Sequence, residues 1–137
     1  MAVAKWSTPA TRSSNIASTV LNSLASGSES AVVTYDNSSA LALYATVTIK
    51  LGSITPATAG SISLRVTLND GTDTADKVGG DVYVVQLLSG ASAKVVNIPM
   101  VRLYPFSLRL SVVNNAGVAF AASGNELYVR TFNEDIA

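Results

Sequence analysis

The sequence predicts an all-β chain: an antiparallel β-sandwich, eight-stranded and of the jelly-roll type, with an extended N-terminal arm. Three observations carry this. Segments alternating apolar with polar residues recur along the chain. Clusters of Gly, Asn, Ser and Pro separate them at short intervals, and no stretch sustains the spacing of a long helix. About eight strands in two sheets favour the jelly-roll, and an immunoglobulin-type sandwich lacks its cysteine and tryptophan signature here. At 137 residues the chain has the length of one domain and needs no staples to bury a core.

Residues 1–15 have no periodicity and are rich in Ser, Thr and Ala, so they read as an arm that gains order only by lying on a surface. Residues 16–137 form the domain. Trp6, the single tryptophan, is a candidate anchor within that arm, either into a neighbour's pocket or back onto its own domain. From Ile16 to Leu24 the apolar spacing would suit a short helix, but Ser and Thr interrupt it and Gly27 closes it, so a strand is the preferred reading. Ala31 to Tyr35 is a short β-rich run, and Asp36-Asn37-Ser38-Ser39 is a turn whose side chains can bond their own backbone.

Ala40 to Leu51 is the longest strand expected. Leu41, Leu43, Ala45, Val47, Ile49 and Leu51 form its inward face, while Tyr44, Thr46, Thr48 and Lys50 look outward. At twelve residues it is about twice the usual strand length of roughly five or six, which suits a central strand with two neighbours. Gly52 to Gly60 is a loop. Ser61 to Leu68 alternates again, with Ile62, Leu64, Val66 and Leu68 inward. Asn69 to Gly80 is an acidic loop. Asp81 to Leu88 and Ala93 to Ile98 are strands joined by Ser89-Gly90-Ala91-Ser92, a connection of hairpin length. Pro99 and Pro105 keep the next residues off a central ladder position. Phe106 to Val113 is a strand, Asn114 to Gly117 a turn, Val118 to Ala121 a brief pairing segment, and Glu126 to Phe132 the last strand.

Composition bounds function. Nine basic and nine acidic residues balance to zero without a basic run, which argues against nucleic acid as a partner. Only 13% of residues are charged, against a usual share of about 25%, so the surface is filled with Ser and Thr and is poorly defended against association. The apolar windows alternate and are too short to cross a bilayer as helices, and residues 1–15 carry no apolar core or cleavage site of a secretory signal. Histidine and cysteine are both absent, which removes Ser-His-Asp and Cys-His machinery, imidazole and thiolate metal sites, and disulfides. The chain reads as a non-enzyme without cofactors. Asp70, Asp73 and Asp76 (with Asp81 beyond) are weak calcium candidates, since hard oxygen ligands at short spacing suit that ion, but their order does not match an EF-hand and a solvated turn is preferred. Asn37-Ser38-Ser39 fits a glycosylation sequon and reads better as a turn. Tyr44, Tyr83, Tyr104 and Tyr128 could stack sugars, but core-edge packing or an interface fits better strands at no regular offset.

The run from Ile16 to Asp73 resembles a type of small tailed-bacteriophage virion protein. The features that carry the likeness are LNSLASG, the Asp36-Asn37 turn before LALYA, the GSITPATAG loop and the strand ending in Asp70-Gly71-Thr72. A looser likeness continues through VRLYPFSLRLSVVNNAG. The resemblance implies a capsid cement or decoration protein: a β-sandwich made in the host cytoplasm, bound to the major capsid protein on the outer shell, as a homo-oligomer and often a trimer. It also implies a protein interface, for which Trp6, Arg12, Tyr44, Thr46 and Thr48 are the candidates. A tail, neck or baseplate component is the alternative, and a carbohydrate-binding module the second. Within the first reading part of the Tyr44-Thr46-Thr48-Lys50 face is covered in the assembly, so Thr46→Lys and Thr48→Lys should weaken assembly more than folding.

Overall fold

A computed structural model describes residues 3–70, 72–74 and 80–136. Its strands are β1 (Ala4–Trp6), β2 (Val33–Asp36), β3 (Tyr44–Ile54), β4 (Ser61–Asn69), β5 (Asp81–Gln86), β6 (Ser92–Arg102), β7 (Ser107–Asn115), β8 (Glu126–Phe132) and β9 (Glu134–Ile136). All pairings are antiparallel, and no helix occurs among the described residues. One sheet has the order β2-β7-β4-β5 and the other β6-β3-β8, while β1 and β9 pair as a separate ribbon. The core lies between the two larger sheets. β3 contributes Ala45, Val47, Ile49 and Leu51, β4 Ile62, Leu64 and Val66, β7 Leu108, Leu110 and Val112, and β8 Leu127 and Val129, all buried. These are the alternate positions of each strand, as a two-sided sandwich requires.

The jelly-roll is completed by the arm. Residues 7–16 run along the free edge of β8: the backbone N–H groups of Ser7, Ala10, Ser13 and Ile16 donate to the carbonyls of Asn133, Thr131, Val129 and Leu127 at 2.8–3.0 Å. Counting this segment as a first strand, the sheets read arm-β8-β3-β6 and β2-β7-β4-β5, which is the strand order of a jelly-roll. The arm advances three residues for every two of β8, so it cannot form a regular ladder. Its side chains make up the difference: the N–H groups of Asn133, Val129 and Leu127 donate to Ser7 Oγ, Ser13 Oγ and Asn15 Oδ1. A Ser- and Asn-rich composition is therefore what lets this segment satisfy a strand edge. The arm does lie on a surface, and that surface is its own domain.

Several expectations are corrected. Ile16–Leu24 is a chain of turns instead of a strand, with Val20, Asn22 and Leu24 donating to Ala17, Thr19 and Leu21, and with positive φ at Ser18 and Ser23. It still buries Ala17 and Leu21, so the helical spacing marked burial without a helix. The central strand begins at Tyr44, not Ala40. Asn37 holds Ala42 by both its N–H and its carbonyl, at 3.0 and 2.9 Å, and thereby takes the groups a strand would offer a neighbour. Leu41, at φ 49°, and Leu43 are left exposed. Asn37 itself is wholly buried, so the sequon carries no glycan. Ser89–Ser92 does not make a hairpin: β5 pairs with β4 and β6 with β3, and the connection is a corner between sheets. Val118–Ala121 forms no strand; Phe120 bonds Leu24 and plugs the core. β6 continues through Pro99 to Arg102 because it is an edge strand, and a bulge opposite Ala45 and Val47 accommodates the proline.

Candidate functional site

The outer face of β6-β3-β8 gathers every interface residue singled out in the sequence. Across it, Tyr44 faces Phe132, Thr46 faces Arg130, Thr48 faces Tyr128 and Lys50 faces Glu126. On the other side Thr48 faces Asn97 and Tyr44 faces Arg102. Parity places them together, since residues opposite one another in an antiparallel pair share a face.

One end of the face is aromatic. β1 sets Trp6 edge-on against Tyr44 at 6.0 Å and Phe132 at 5.4 Å, and Tyr44 and Phe132 stack on each other at 5.6 Å. Trp6 nonetheless keeps 56% of its surface in solvent, a large cost for the only indole unless something covers it. The Tyr44 hydroxyl donates to Glu134 at 3.1 Å, and that carboxylate, by the hydrogen bond first and its charge second, raises the phenol above its ordinary value.

The other end is charged. The Arg12 guanidinium lies 3.8 Å over the Tyr128 ring, with Lys50 Nζ at 5.5 Å from the same ring. The Tyr128 hydroxyl donates to Glu126 at 2.5 Å, a bond that raises the phenol. Lys50 and Glu126 are 3.9 Å apart and well exposed, so their pairing adds little to stability.

Between the two ends runs a groove. Its aromatic portion, about 420 Å³, is walled by Trp6, Pro9, Pro99 and Met100 over a floor of Thr46 and Phe132. A second portion, about 510 Å³, shares Pro9, Thr46 and Phe132 and extends past Arg12, Thr48, Asn97 and Arg130. The arm is thus one wall and β6 the other. Thr46 Oγ1 donates to the Pro99 carbonyl at 2.9 Å and Thr48 Oγ1 to Asn97 Oδ1 at 2.7 Å, so both floor hydroxyls are already bonded within the chain. Arg130 Nε donates to the Ala10 carbonyl and fixes the arm wall. Phe132, Arg130, Asn97 and Met100 were not singled out in the sequence. The signal for the first two was the alternation of ELYVRTF, whose outward positions Glu126, Tyr128, Arg130 and Phe132 all reach this face.

The acidic loop is a turn where it is described. Asp70 Oδ1 accepts the N–H groups of Thr72 and Asp73, each at 2.8 Å, and the Asp73 N–H bond, followed by that from Thr72, holds the Asp70 carboxyl below its ordinary value. A depressed carboxyl stabilises the turn above its unfolded value near 3.8 and loses that contribution as pH falls through the folded value. Asp76 lies outside the described residues. Among the described residues no group of three or more acidic side chains is arranged to hold a metal ion.

No family model matches the chain, and no curated protein matches it. Among solved structures, the carbohydrate-binding module TmCBM61 in complex with β-1,4-galactotriose is similar at a TM-score of 0.34 and 11% identity, over 82% of this chain and 68% of that one. The jelly-roll assignment rests on the strand order described above and not on this neighbour.

Proposed function

We propose that the chain is a non-enzymatic structural protein of a virion, a cement or decoration protein that seats the outer face of β6-β3-β8 on the major capsid protein, as a homo-oligomer. The observation that carries the reading is the gathering of Trp6, Arg12, Tyr44, Thr46 and Thr48 on one face, beside a groove and a half-exposed indole. Buried aromatic and arginine anchors in a polar rim are the usual composition of a protein interface. The few charges elsewhere on the chain favour many shallow contacts summed over copies.

The test is occupancy on shells that lack the protein. Trp6→Ala combined with Met100→Ala should reduce bound copies by about tenfold or more, the loss of a single interface anchor, with the melting temperature lowered by only about 5–10 °C, the loss of Trp6's edge contacts with Tyr44 and Phe132, and the fold retained. Normal occupancy of the double variant would sink this face as the capsid-binding surface. Thr46→Lys and Thr48→Lys are less clean than the sequence suggested, because each also breaks a bond to β6 worth about 0.5–1 kcal/mol.

A second reading is favoured by Trp6 alone. A half-open indole over a groove is a surface on which a sugar ring can stack, and a glycan-binding module would use it that way. Tyr44 and Phe132 speak against an extended platform, since their faces are covered by each other. Titration calorimetry against soluble oligosaccharides separates the two: heat that vanishes with Trp6→Ala supports the module, and no heat with any glycan removes it.

A further inference from the structure

The two sheets have four lateral edges, and three of them are protected. The β8 edge is covered by the arm. β2 is only four residues long. β6 carries a proline, a bulge and an inward lysine: Lys94 lies opposite Leu51, is 7% exposed, and donates through Nζ to Gly90 O at 2.7 Å and Ser92 Oγ at 2.8 Å. An inward charge, a proline and a bulge are each devices that stop an edge from pairing with another chain.

β5 has neither proline nor bulge, and its one charge on the inner face, Asp81 opposite Val66, sits exposed at the very start of the strand. Its sequence is Asp81-Val82-Tyr83-Val84-Val85-Gln86, without lysine, proline or bulge, and it pairs on one side only, with β4. The Leu87 N–H bonds Gly60 O, so by alternation Tyr83 and Val85 turn their backbone groups toward β4, and Val82, Val84 and Gln86 turn theirs outward. Two of those outward positions are also apolar and open, Val82 at 49% and Val84 at 67% exposed, and Leu88 just beyond the strand is 82% exposed. Among the described residues nothing pairs with them.

We infer that β5 is a homotypic docking edge, on which a second copy of this chain adds its own β5 antiparallel across a twofold axis at Val84. The strand is self-complementary in the required way. A twofold centred on Val84 pairs Val84 with its own copy and Val82 with Gln86 of the second copy, and all of these present outward N–H and C=O groups. Side chains that meet then lie on the same face of the sheet, Tyr83 beside Val85 of the second copy within and valines without. Asp81, the only charge on the strand, meets Leu87 of the second copy and not another carboxylate. The result is an isologous contact that joins two four-stranded sheets into one continuous sheet. It uses the sheet opposite the groove face, so it leaves that face free, and it stands whether or not the virion reading does.

The chain has no cysteine, which makes the geometry directly testable. In a hydrogen-bonded antiparallel pair the two Cα atoms at position 84 would be about 5.5 Å apart, with Cβ atoms too far apart for an unstrained disulfide but within easy reach of a short bis-maleimide. Val84→Cys treated with a short bis-maleimide should run as a cross-linked dimer, whereas Val95→Cys on the exposed part of β6 should not. Light scattering on the unaltered chain should give twice 14.1 kDa, and Val84→Pro, which removes the outward N–H, should give a single-chain mass with its melting transition retained. A single-chain mass for the unaltered protein overturns the inference. So does an oligomer that persists in Val84→Pro, or a Val84→Cys chain that fails to cross-link; the last keeps the test decisive if the proline variant does not fold.

Discussion

Asn114→Ala is expected to lower the stability of the fold by about 3 kcal/mol, and the melting temperature by about 10 °C. Asn114 is wholly buried at the end of β7. Its side-chain amide donates to the Leu24 carbonyl at 2.8 Å and the Val118 carbonyl at 2.9 Å, and its Oδ1 accepts the Ala116 N–H at 2.9 Å. One side chain thus joins the turn chain after residue 16, the last residues of β7 and the loop that carries Phe120. Alanine leaves the Val118 carbonyl and the Ala116 N–H without their partner in a place water cannot reach, while the Leu24 carbonyl keeps the Phe120 N–H, and each such orphan costs about 1–3 kcal/mol before relaxation. Asn115, next door and exposed, is the control: its replacement by alanine should stay within about 0.5 kcal/mol. Chemical denaturation of both variants checks the pair, and equal losses would mean that position matters only through the turn and not through the buried amide.

Removing residues 1–14 is expected to cost about 4 kcal/mol and to make the protein prone to aggregate. The deletion takes away the bonds of Ser7, Ala10 and Ser13 to β8, the return bonds to Ser7 Oγ and Ser13 Oγ, and the anchor of Arg130 on Ala10. At about 0.5–1.5 kcal/mol net for each bond, reduced by the chain entropy that no longer has to be lost, the balance remains clearly unfavourable. The bared β8 edge then offers unpaired backbone groups to other chains. Circular dichroism melts and light scattering of the truncated chain report both effects. A truncated protein that melts within about 2 °C of the full chain would show that the stitched edge contributes nothing. The same deletion is a poor probe of capsid binding, because it disturbs the domain as well as the face; the Trp6 and Met100 substitutions are cleaner.

Much of the sandwich is legible in the sequence because its signal has period two. β3, β4, β7 and β8 each bury alternate residues, and reading that alternation places their inward side chains and, through Tyr44, Thr46 and Thr48, one strand of the candidate face. What is not legible follows other rules. The arm pairs through a three-to-two register in which side-chain oxygens stand in for carbonyls, so neither a strand nor a helix template detects it. Asn37, Asn114 and Asn125 look like turn residues and are buried staples; Asn125, for instance, bonds Asn22, Ala121 and Gly52, tying together the turn chain after residue 16, the loop before β8 and the end of β3. The corner between β5 and β6 has the length of a hairpin, and only the pairing of each strand with a distant partner tells the two apart. The far residues of the groove, Asn97 and Met100, belong to a strand whose register against β3 no local pattern specifies.

The three-residue step of the arm gives it something like a reading frame. Ser7, Ala10, Ser13 and Ile16 are the letters read by β8, since their N–H groups are the ones it binds. Pro9 and Arg12 fall in a second frame and line the groove. A proline is harmless at residue 9 because no N–H is asked of it there, and the same residue at 10 or 13 would break the stitch. One short segment therefore carries two independent messages, and the residues that line the groove can be rewritten without altering those that close the sheet.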